Sequence, residues 1–360
     1  MKKIAVLGNI GKTTTIELLF QYLTLKGYRT MLYCTNGIFD NISLVNKDSF
    51  NYVSDDMYRD FIEDKEEYYD YCLIEMIEES AYLDLLINQS FFQLVINASF
   101  DPIIYDFHQD EYPDFGFKFL REIDTNQLII KDSDADTYQL SRSYLTYSPF
   151  EIASTSFNGT NFIYNNKTYF TNLINDNILI DLAGVTKAIE LLDEFDEDIY
   201  TNFLQQAFVR GRYEKHYANN KNIIINTGWN GIDHDISDLL QENIFTPLDN
   251  TDIIFIPHPH LVTTTAKAVA NRAKKGKFLK DNNVHLIISD GYDKENTLSY
   301  FEQEYANPSN YTNYTHIADK QQALAAAFHS DKHNILIIGG YYTRYFRYLI
   351  EQIEEIEMAE

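Results

Sequence analysis

At 360 residues the chain is too long for one ordinary hydrophobic core, so two domains are expected. It carries 54 acidic against 29 basic side chains, a formal charge of -25 that repels the phosphates of nucleic acid and of anionic membranes, so neither is expected as a partner. Cys34 and Cys72 are the only cysteines, which excludes a disulfide framework and a cysteine-rich zinc site.

The first apolar stretch, Ile4-Ala5-Val6-Leu7, follows Met1-Lys2-Lys3 and is interrupted at once by Gly8. It is too short for a signal-peptide core, and no apolar run reaches the roughly 18 residues of a membrane span. A cytoplasmic protein is expected. The stretch reads instead as a first β-strand, and further strands are expected at Thr30–Tyr33, Tyr71–Ile74, Leu94–Asn97 and Gln127–Ile130. Amphipathic helices fit Thr13–Lys26, Ser80–Ile87 and Phe115–Ile123. Strands alternating with helices point to a mostly parallel α/β sheet.

From about Ser154 the pattern changes to short alternating runs, Asn161–Tyr164 and Thr168–Phe170, around Asn165-Asn166, which predicts an antiparallel hairpin and a small second sheet. Helices are expected at Ile178–Phe195 and Ile199–Phe208. After Gly211 a second α/β set follows, with strands at Ile223–Asn226, Asp252–Ile256, His285–Ser289 and Asn334–Ile338. Its helices are expected at Ile232–Glu242, Thr263–Lys274 and Lys320–Ser330. The expected division is therefore residues 1–213 and 214–360.

Between the first strand and the first helix lies Gly8-Asn9-Ile10-Gly11-Lys12-Thr13-Thr14-Thr15. Glycines permit a tight turn and close backbone approach, and the amides at a helix N-terminus attract phosphate oxygens. Lys12 adds a positive charge for the β/γ-phosphates, and Thr13 a hydroxyl for Mg²⁺. The position five before Gly11 is Val6, whereas the general Walker pattern has glycine there.

The spacing Gly-x-x-Gly-Lys-Thr-Thr-Thr resembles the phosphate loop of Mur ligases and their relatives, including folylpolyglutamate synthetases. Cys72-Leu73-Ile74-Glu75 resembles the family strand whose terminal glutamate binds Mg²⁺, with Ile77 and Glu78 in place of the two serines that usually follow. Leu94–Asp101 resembles the segment of strand, asparagine and Asp-His pair, but Pro102 stands where the family has its metal-binding histidine; His108 lies six residues on. Lys118 falls on the helix where many members carry a carbamoylated lysine, and Lys131–Asp134 follows a strand as the family's Asn-x-Asp-Asp segment does. Arg210-Gly211-Arg212-Tyr213-Glu214 resembles the Gly-Arg-x-Glu motif between the family's central and C-terminal domains.

Further on, Asn226-Thr227-Gly228-Trp229-Asn230-Gly231 takes the place of the family's ATP-holding Asp-Tyr-Ala-His-Asn-Pro loop, agreeing only at Asn230. Asn226 could still hydrogen-bond a ribose hydroxyl, and Trp229 could stack on a base or simply pack. Ser289-Asp290-Gly291-Tyr292 lies where diaminopimelate-adding members have Asp-Asn-Pro-Arg, so their acceptor-holding arginine is absent. Ala318–Ala323 resembles their Asp-Arg-x-x-Ala helix start. His258 and His260 are two histidines, which do not make a metal site.

The resemblance spans Ile4 to about Ile350, without the family's N-terminal nucleotide-sugar domain ahead of it. It implies a P-loop central domain with a parallel sheet and a small antiparallel sheet, followed by a Rossmann-like C-terminal domain. It also implies an ATP-dependent ligase that joins a small-molecule carboxylate to an amine through an acyl phosphate. Gly8, Asn9, Gly11, Lys12, Thr13, Thr14, Asn226 and Asn230 would bind ATP, and Thr13 and Glu75 would bind Mg²⁺. Lys12, Glu75, Arg212 and Lys118 would serve catalysis, Arg212 by reaching the nucleotide phosphates. Two other readings compete. A nucleotide-binding pseudo-ligase, acting as regulator or partner subunit, accounts for Pro102, Trp229 and the missing arginine. A partitioning-type P-loop ATPase leaves the second α/β set and Arg210–Glu214 unexplained.

Overall fold

The computed structural model describes residues 1–8, 10–41, 43–46, 67–76, 92–98, 120–227, 244, 250–257, 274, 276–290, 297–339, 346–351 and 353. The chain forms two compact units, Met1–Ser154 with Asn158–Val209, and Thr155–Phe157 with Arg210–Glu360. No described helix is long and apolar enough to cross a membrane.

The first unit is built on β1 (Lys2–Leu7), α1 (Lys12–Leu25), β2 (Thr30–Cys34), β3 (Gly37–Asp40), β4 (Ser43–Asn46), β5 (Tyr71–Glu75), β6 (Phe92–Asn97), β7 (Thr125–Lys131) and β8 (Leu145–Tyr147). The eight strands lie in the order β4-β3-β2-β5-β1-β6-β7-β8. From β2 to β8 the pairing is parallel, and β3 and β4 extend the β2 edge antiparallel. Ile4, Ala5 and Val6 are wholly buried in the middle of the sheet, as an unbroken apolar run requires of a strand covered on both faces. The hairpin of β2 and β3, which periodicity did not predict, turns at Thr35-Asn36 into Gly37, whose φ of 132° suits a residue without a side chain.

Register decides what the sheet presents. Val6 pairs with Glu75, Leu7 with Asn97, and Asn97 with Ile130, so β5, β1, β6 and β7 end together at one edge. The pairing continues past the strand ends through Met76 N–H to the Val6 carbonyl and Ala98 N–H to the Leu7 carbonyl, each 2.9 Å.

A three-stranded sheet follows, in the order β11-β10-β9, made of β9 (Glu151–Ser156), β10 (Gly159–Tyr164) and β11 (Lys167–Thr171). The turn between β10 and β11 is Asn165-Asn166, with φ of 49° and 61°, the left-handed pair that matches strand twist in a two-residue hairpin. Then come α2 (Asp176–Leu191) and α3 (Glu197–Gln206), capped by the side chains of Asn175 and Asp196. α2 stops four residues before the expected Phe195. Asp193 takes a φ of 58°, and the amides of Leu192, Asp193 and Glu194 bond back to Ala188, Glu190 and Ile189, closing the helix.

The early stop frees Glu194 to become an anchor. Its carboxylate accepts from Tyr28 Oη and Tyr71 Oη at 2.7 Å each and pairs with Lys26 Nζ at 2.8 Å, while Tyr22 Oη donates to its carbonyl. Burial alone would raise its pKa, but the bonds from Lys26, Tyr28 and Tyr71 outweigh burial and hold it at about 2. The same anion pushes the Tyr28 hydroxyl up to about 12. A carboxylate whose folded pKa lies below its unfolded value stabilises the fold above the unfolded pKa and loses that contribution as pH falls toward the folded one. Glu194→Gln is therefore expected to cost about 1–3 kcal/mol at pH 7, with the difference from wild type shrinking between about pH 4.5 and 2. Urea unfolding at pH 7, 4 and 3 checks this, and a pH-independent difference contradicts it.

The second unit contains β12 (Glu214–Ala218), β13 (Lys221–Thr227), β14 (Thr251–Ile256), β15 (Leu286–Ile288), β16 (Tyr314–His316), α4 (Lys320–His329) and β17 (Asn334–Gly339). Its sheet runs β12-β13-β17-β14-β15-β16, parallel except for β12. The β12–β13 turn is again an Asn pair, Asn219-Asn220 at φ 51° and 58°, a signal that would have revealed the extra strand. A helical segment at 297–309, with a π turn at Glu302–Ala306, also went unpredicted. The expected helices at Ser80–Ile87 and Ile232–Glu242 lie outside the described residues, as do all of Thr263–Lys274 but its last residue and most of Phe115–Ile123.

Candidate functional site

The aligned strand ends of the first unit gather the sequence-predicted residues. After β1 the chain turns through Gly8 at φ 117° and Gly11 at φ 81°, and Thr15 N–H bonds the Gly11 carbonyl to begin α1. The first amides of a helix have no partner within it, so this turn presents donors at the sheet edge. Lys12 Nζ lies over the same loop, donating to the Gly8 carbonyl at 2.7 Å. Asn9 lies outside the described residues.

Thr13 and Glu75, 62 positions apart, are in direct contact: Thr13 Oγ1 donates to Glu75 Oε1 at 2.8 Å. Thr35, just past β2, contributes its hydroxyl to Thr13 at 2.9 Å and its amide to Glu75 Oε2 at 2.7 Å. The ends of β2 and β5 and the first turn of α1 thus converge on one carboxylate. Glu75 is 7% exposed and Thr13 6%, so the group is preorganised within the protein. Thr14 is buried beside them.

Two adjacent hard oxygen donors suit Mg²⁺, which commonly takes one or two protein ligands and completes its shell with phosphate and water. The described residues contain no group of three or more His, Cys, Asp or Glu side chains able to hold a metal alone. Thr13 and Glu75 fit the protein's share of such a shell.

Sequence reasoning missed Asp181. It lies on α2 and is buried against the Gly8–Lys12 turn: a Cβ added to Gly11 would fall 2.2 Å from its Oδ1. Its signal was an acid inside the otherwise apolar stripe of Ile178, Leu182 and Val185, where a lone carboxylate needs a reason. Tyr147, at the end of β8, donates to the Ala98 carbonyl, and its hydroxyl is pushed up by burial and by the carboxylates of Asp181, Asp134 and Asp132. Asn97 is buried and donates to Tyr138 Oη at 2.7 Å, so it braces the end of β6.

Gly11→Ala places a side chain in left-handed backbone and against a carboxylate, for which about 1–3 kcal/mol of backbone strain plus the clash is expected. Asp181→Ala should relieve the clash and leave the strain, so the double variant should be less destabilised than the two single effects summed. Urea unfolding of the four proteins tests this, and strict additivity contradicts the contact.

In the second unit, the Arg210–Glu214 segment is stitched to the end of β13. Thr227 N–H bonds the Gly211 carbonyl at 2.7 Å, and Tyr213 N–H donates to Asn226 Oδ1 at 3.3 Å. Glu214 Oε2 accepts from Gly211 N–H at 2.7 Å and from Arg347 Nε at 3.0 Å. Burial opposes ionisation of Glu214, but His216, Arg347 and the Gly211 amide outweigh it and hold the carboxyl below its usual range. Glu214 and Asn226 thus shape the loop that carries Arg212, whose Nη1 donates to the Gly211 carbonyl at 3.3 Å. Lys118, Pro102, His108, Trp229, Asn230, His258 and His260 lie outside the described residues.

A parallel sheet with a phosphate-type loop, a small antiparallel sheet and a second, mostly parallel α/β unit is the fold of Mur ligases and folylpolyglutamate synthases. The folylpolyglutamate synthase of Thermotoga maritima matches at 13% identity and a TM-score of 0.66, over 97% of this chain and 89% of that one. MurF from Acinetobacter baumannii matches at 13% identity and a TM-score of 0.68, over 98% and 76%. MurF ligase from Thermotoga maritima, solved in complex with ADP, matches at 14% identity and a TM-score of 0.65, over 100% and 81%. No family model matches the sequence, and no curated protein does.

Proposed function

We propose that the chain is an ATP-dependent ligase of Mur type that joins a carboxylate to an amine through an acyl phosphate. The observation that carries this reading is the Thr13–Glu75–Thr35 cluster beside the Gly8–Lys12 turn, at the C-terminal edge of a parallel sheet, where open α/β folds bind ligands. The fold shared with ligases, one of them solved with ADP, supports it.

In this reading the first unit is the ATP-binding domain and the second the C-terminal domain, with the change-over in the 210–214 segment. Gly8, Asn9, Gly11, Lys12, Thr13 and Thr14 hold the phosphates, and Asn226 and Asn230 contact the nucleotide. Thr13 and Glu75 hold Mg²⁺, which when bound neutralises phosphate charge. Lys12 and the first amides of α1 stabilise the charge that spreads over the transferring phosphoryl group. Arg212 supplies a second cation to it. Exclusion of water protects the acyl phosphate from hydrolysis. Lys118 carries the carbamoyl group in this scheme.

Lys12→Ala is expected to weaken MgATP binding about 10- to 100-fold, the value of a charge-assisted contact, with little change in melting temperature. Titration calorimetry beside a thermal melt measures both, and unchanged affinity removes the phosphate-loop assignment. Turnover is tested by trapping acyl phosphate with hydroxylamine, using MgATP and a panel of amino acids and short acidic peptides. Hydroxamate formation that collapses in Arg212→Ala while ATP affinity holds is the ligase outcome, since a contact made mainly in the transition state affects rate and not ground-state binding. ATP binding without hydroxamate from any acid supports the second reading, a regulatory nucleotide-binding protein, which Pro102 and Trp229 favour.

A further inference from the structure

Glu17 lies on α1 one turn after Thr13, on the same helix face, and is wholly buried. Its neighbours Ile16, Leu18 and Leu19 are wholly buried too, and an apolar side chain at position 17 would join them without the desolvation cost of a carboxyl group. The carboxyl group therefore needs a reason. Its Oε1 accepts from Asn36 Nδ2 and from Cys34 Sγ, the latter at 3.9 Å. These two residues stand on either side of Thr35, where β2 turns into β3.

That turn differs from the other two-residue hairpins of the chain. Asn165-Asn166 and Asn219-Asn220 adopt the left-handed pair that matches strand twist, whereas neither Thr35 nor Asn36 has a positive φ. Glu17 supplies a tie from α1 that the turn's own backbone does not. Thr35, between the two tied residues, gives its amide to Glu75 Oε2 at 2.7 Å and meets the Thr13 hydroxyl at 2.9 Å. Thr13 in turn donates to Glu75 Oε1, so both carboxylate oxygens of Glu75 are held by groups that Glu17 braces. All of these residues belong to the first unit.

We propose that Glu17 is a positioning residue for the divalent cation: it clamps the 34–36 turn so that the Thr35 amide fixes the Glu75 carboxylate. The inference rests on the metal role proposed for Thr13 and Glu75 and extends it to a residue that touches neither metal nor nucleotide. Mg²⁺ demands near-ideal octahedral geometry, so it is sensitive to how rigidly a protein carboxylate is held. Without the clamp the turn is free to shift, Glu75 loses its amide donor, and the carboxylate must be reordered when the ion binds. The phosphate-binding turn at Gly8–Lys12 does not contain these bonds, so nucleotide contacts that need no metal keep their geometry.

Titration calorimetry of the whole chain with ADP, in EDTA and in MgCl₂, separates the two contributions. The measured quantity is the factor by which Mg²⁺ tightens ADP binding. Glu17→Leu removes the clamp from the helix side, and Asn36→Ala removes it from the half-buried turn, where the fold is less at risk. Each should cut the Mg²⁺ factor about 10-fold, the lower range for losing a group that orients a metal ligand, with ADP affinity in EDTA unchanged. Glu17→Gln keeps an acceptor oxygen and should restore most of the factor. In a Glu75→Gln background, Glu17→Leu should cause no further loss, because the clamp acts through Glu75. Equal weakening with and without Mg²⁺, additive losses in the Glu17/Glu75 pair, or a wild-type factor in Asn36→Ala each overturn the proposal. Wild-type protein whose ADP affinity does not respond to Mg²⁺ removes the metal role of Glu75 itself, and the proposal with it; a response that the Glu17 and Asn36 variants leave intact overturns the clamp alone.

Discussion

The pairing register of β1 with its neighbours is the constraint on which the candidate site depends. Because Val6 lies opposite Glu75 and Leu7 opposite Asn97, the loop after β1 emerges level with the ends of β5 and β6. A slip of one residue would turn Glu75 to the other face of the sheet and separate it from Thr13. The buried run Ile4–Val6 guards against that slip, since both faces of the strand are packed and any shift would repack the core. The chemistry at the edge is thus held by hydrophobic burial in the middle.

That edge is acidic for the phosphate-binding role proposed for it. Glu75 bonds Thr13 at the start of α1 and Asp181 lies against Gly11, beside a loop that carries Lys12. The Thr13 hydroxyl and the Thr35 amide satisfy Glu75, which removes the cost of a buried unpaired carboxylate. In the proposed ligase reading, a divalent cation that comes with the nucleotide offsets these fixed anions. Asp181 adds a steric demand, because its carboxylate occupies the space that any side chain at position 11 would need.

The second unit uses the same architecture with different tips. Glu214 and Arg347 are spent on shaping the 210–214 loop, so the charged motif seen in the sequence is in large part a scaffold for Arg212. At the other end of the same sheet, Asp290 and His316 form a second pair. One pair of charges organises the 210–214 loop; the other ties the ends of β15 and β16 together.

The sequence by itself determined the alternation of strands and helices, the Gly8–Thr15 turn and the hairpin at Asn165-Asn166, because each is written in local periodicity or in residues that tolerate left-handed backbone. It also named Thr13 and Glu75 as candidates, by resemblance to known motifs. Their contact was decided only by tertiary structure, since strand order and register are set by non-local packing. The contacts of Asp181 and Arg347 were illegible for the same reason: each residue lies on a helix distant in sequence from the loop it packs against. The early end of α2 belongs with them. Helical periodicity runs on to Phe195, but the hydrogen bonds that Glu194 makes with Lys26, Tyr28 and Tyr71 are worth more than one further turn.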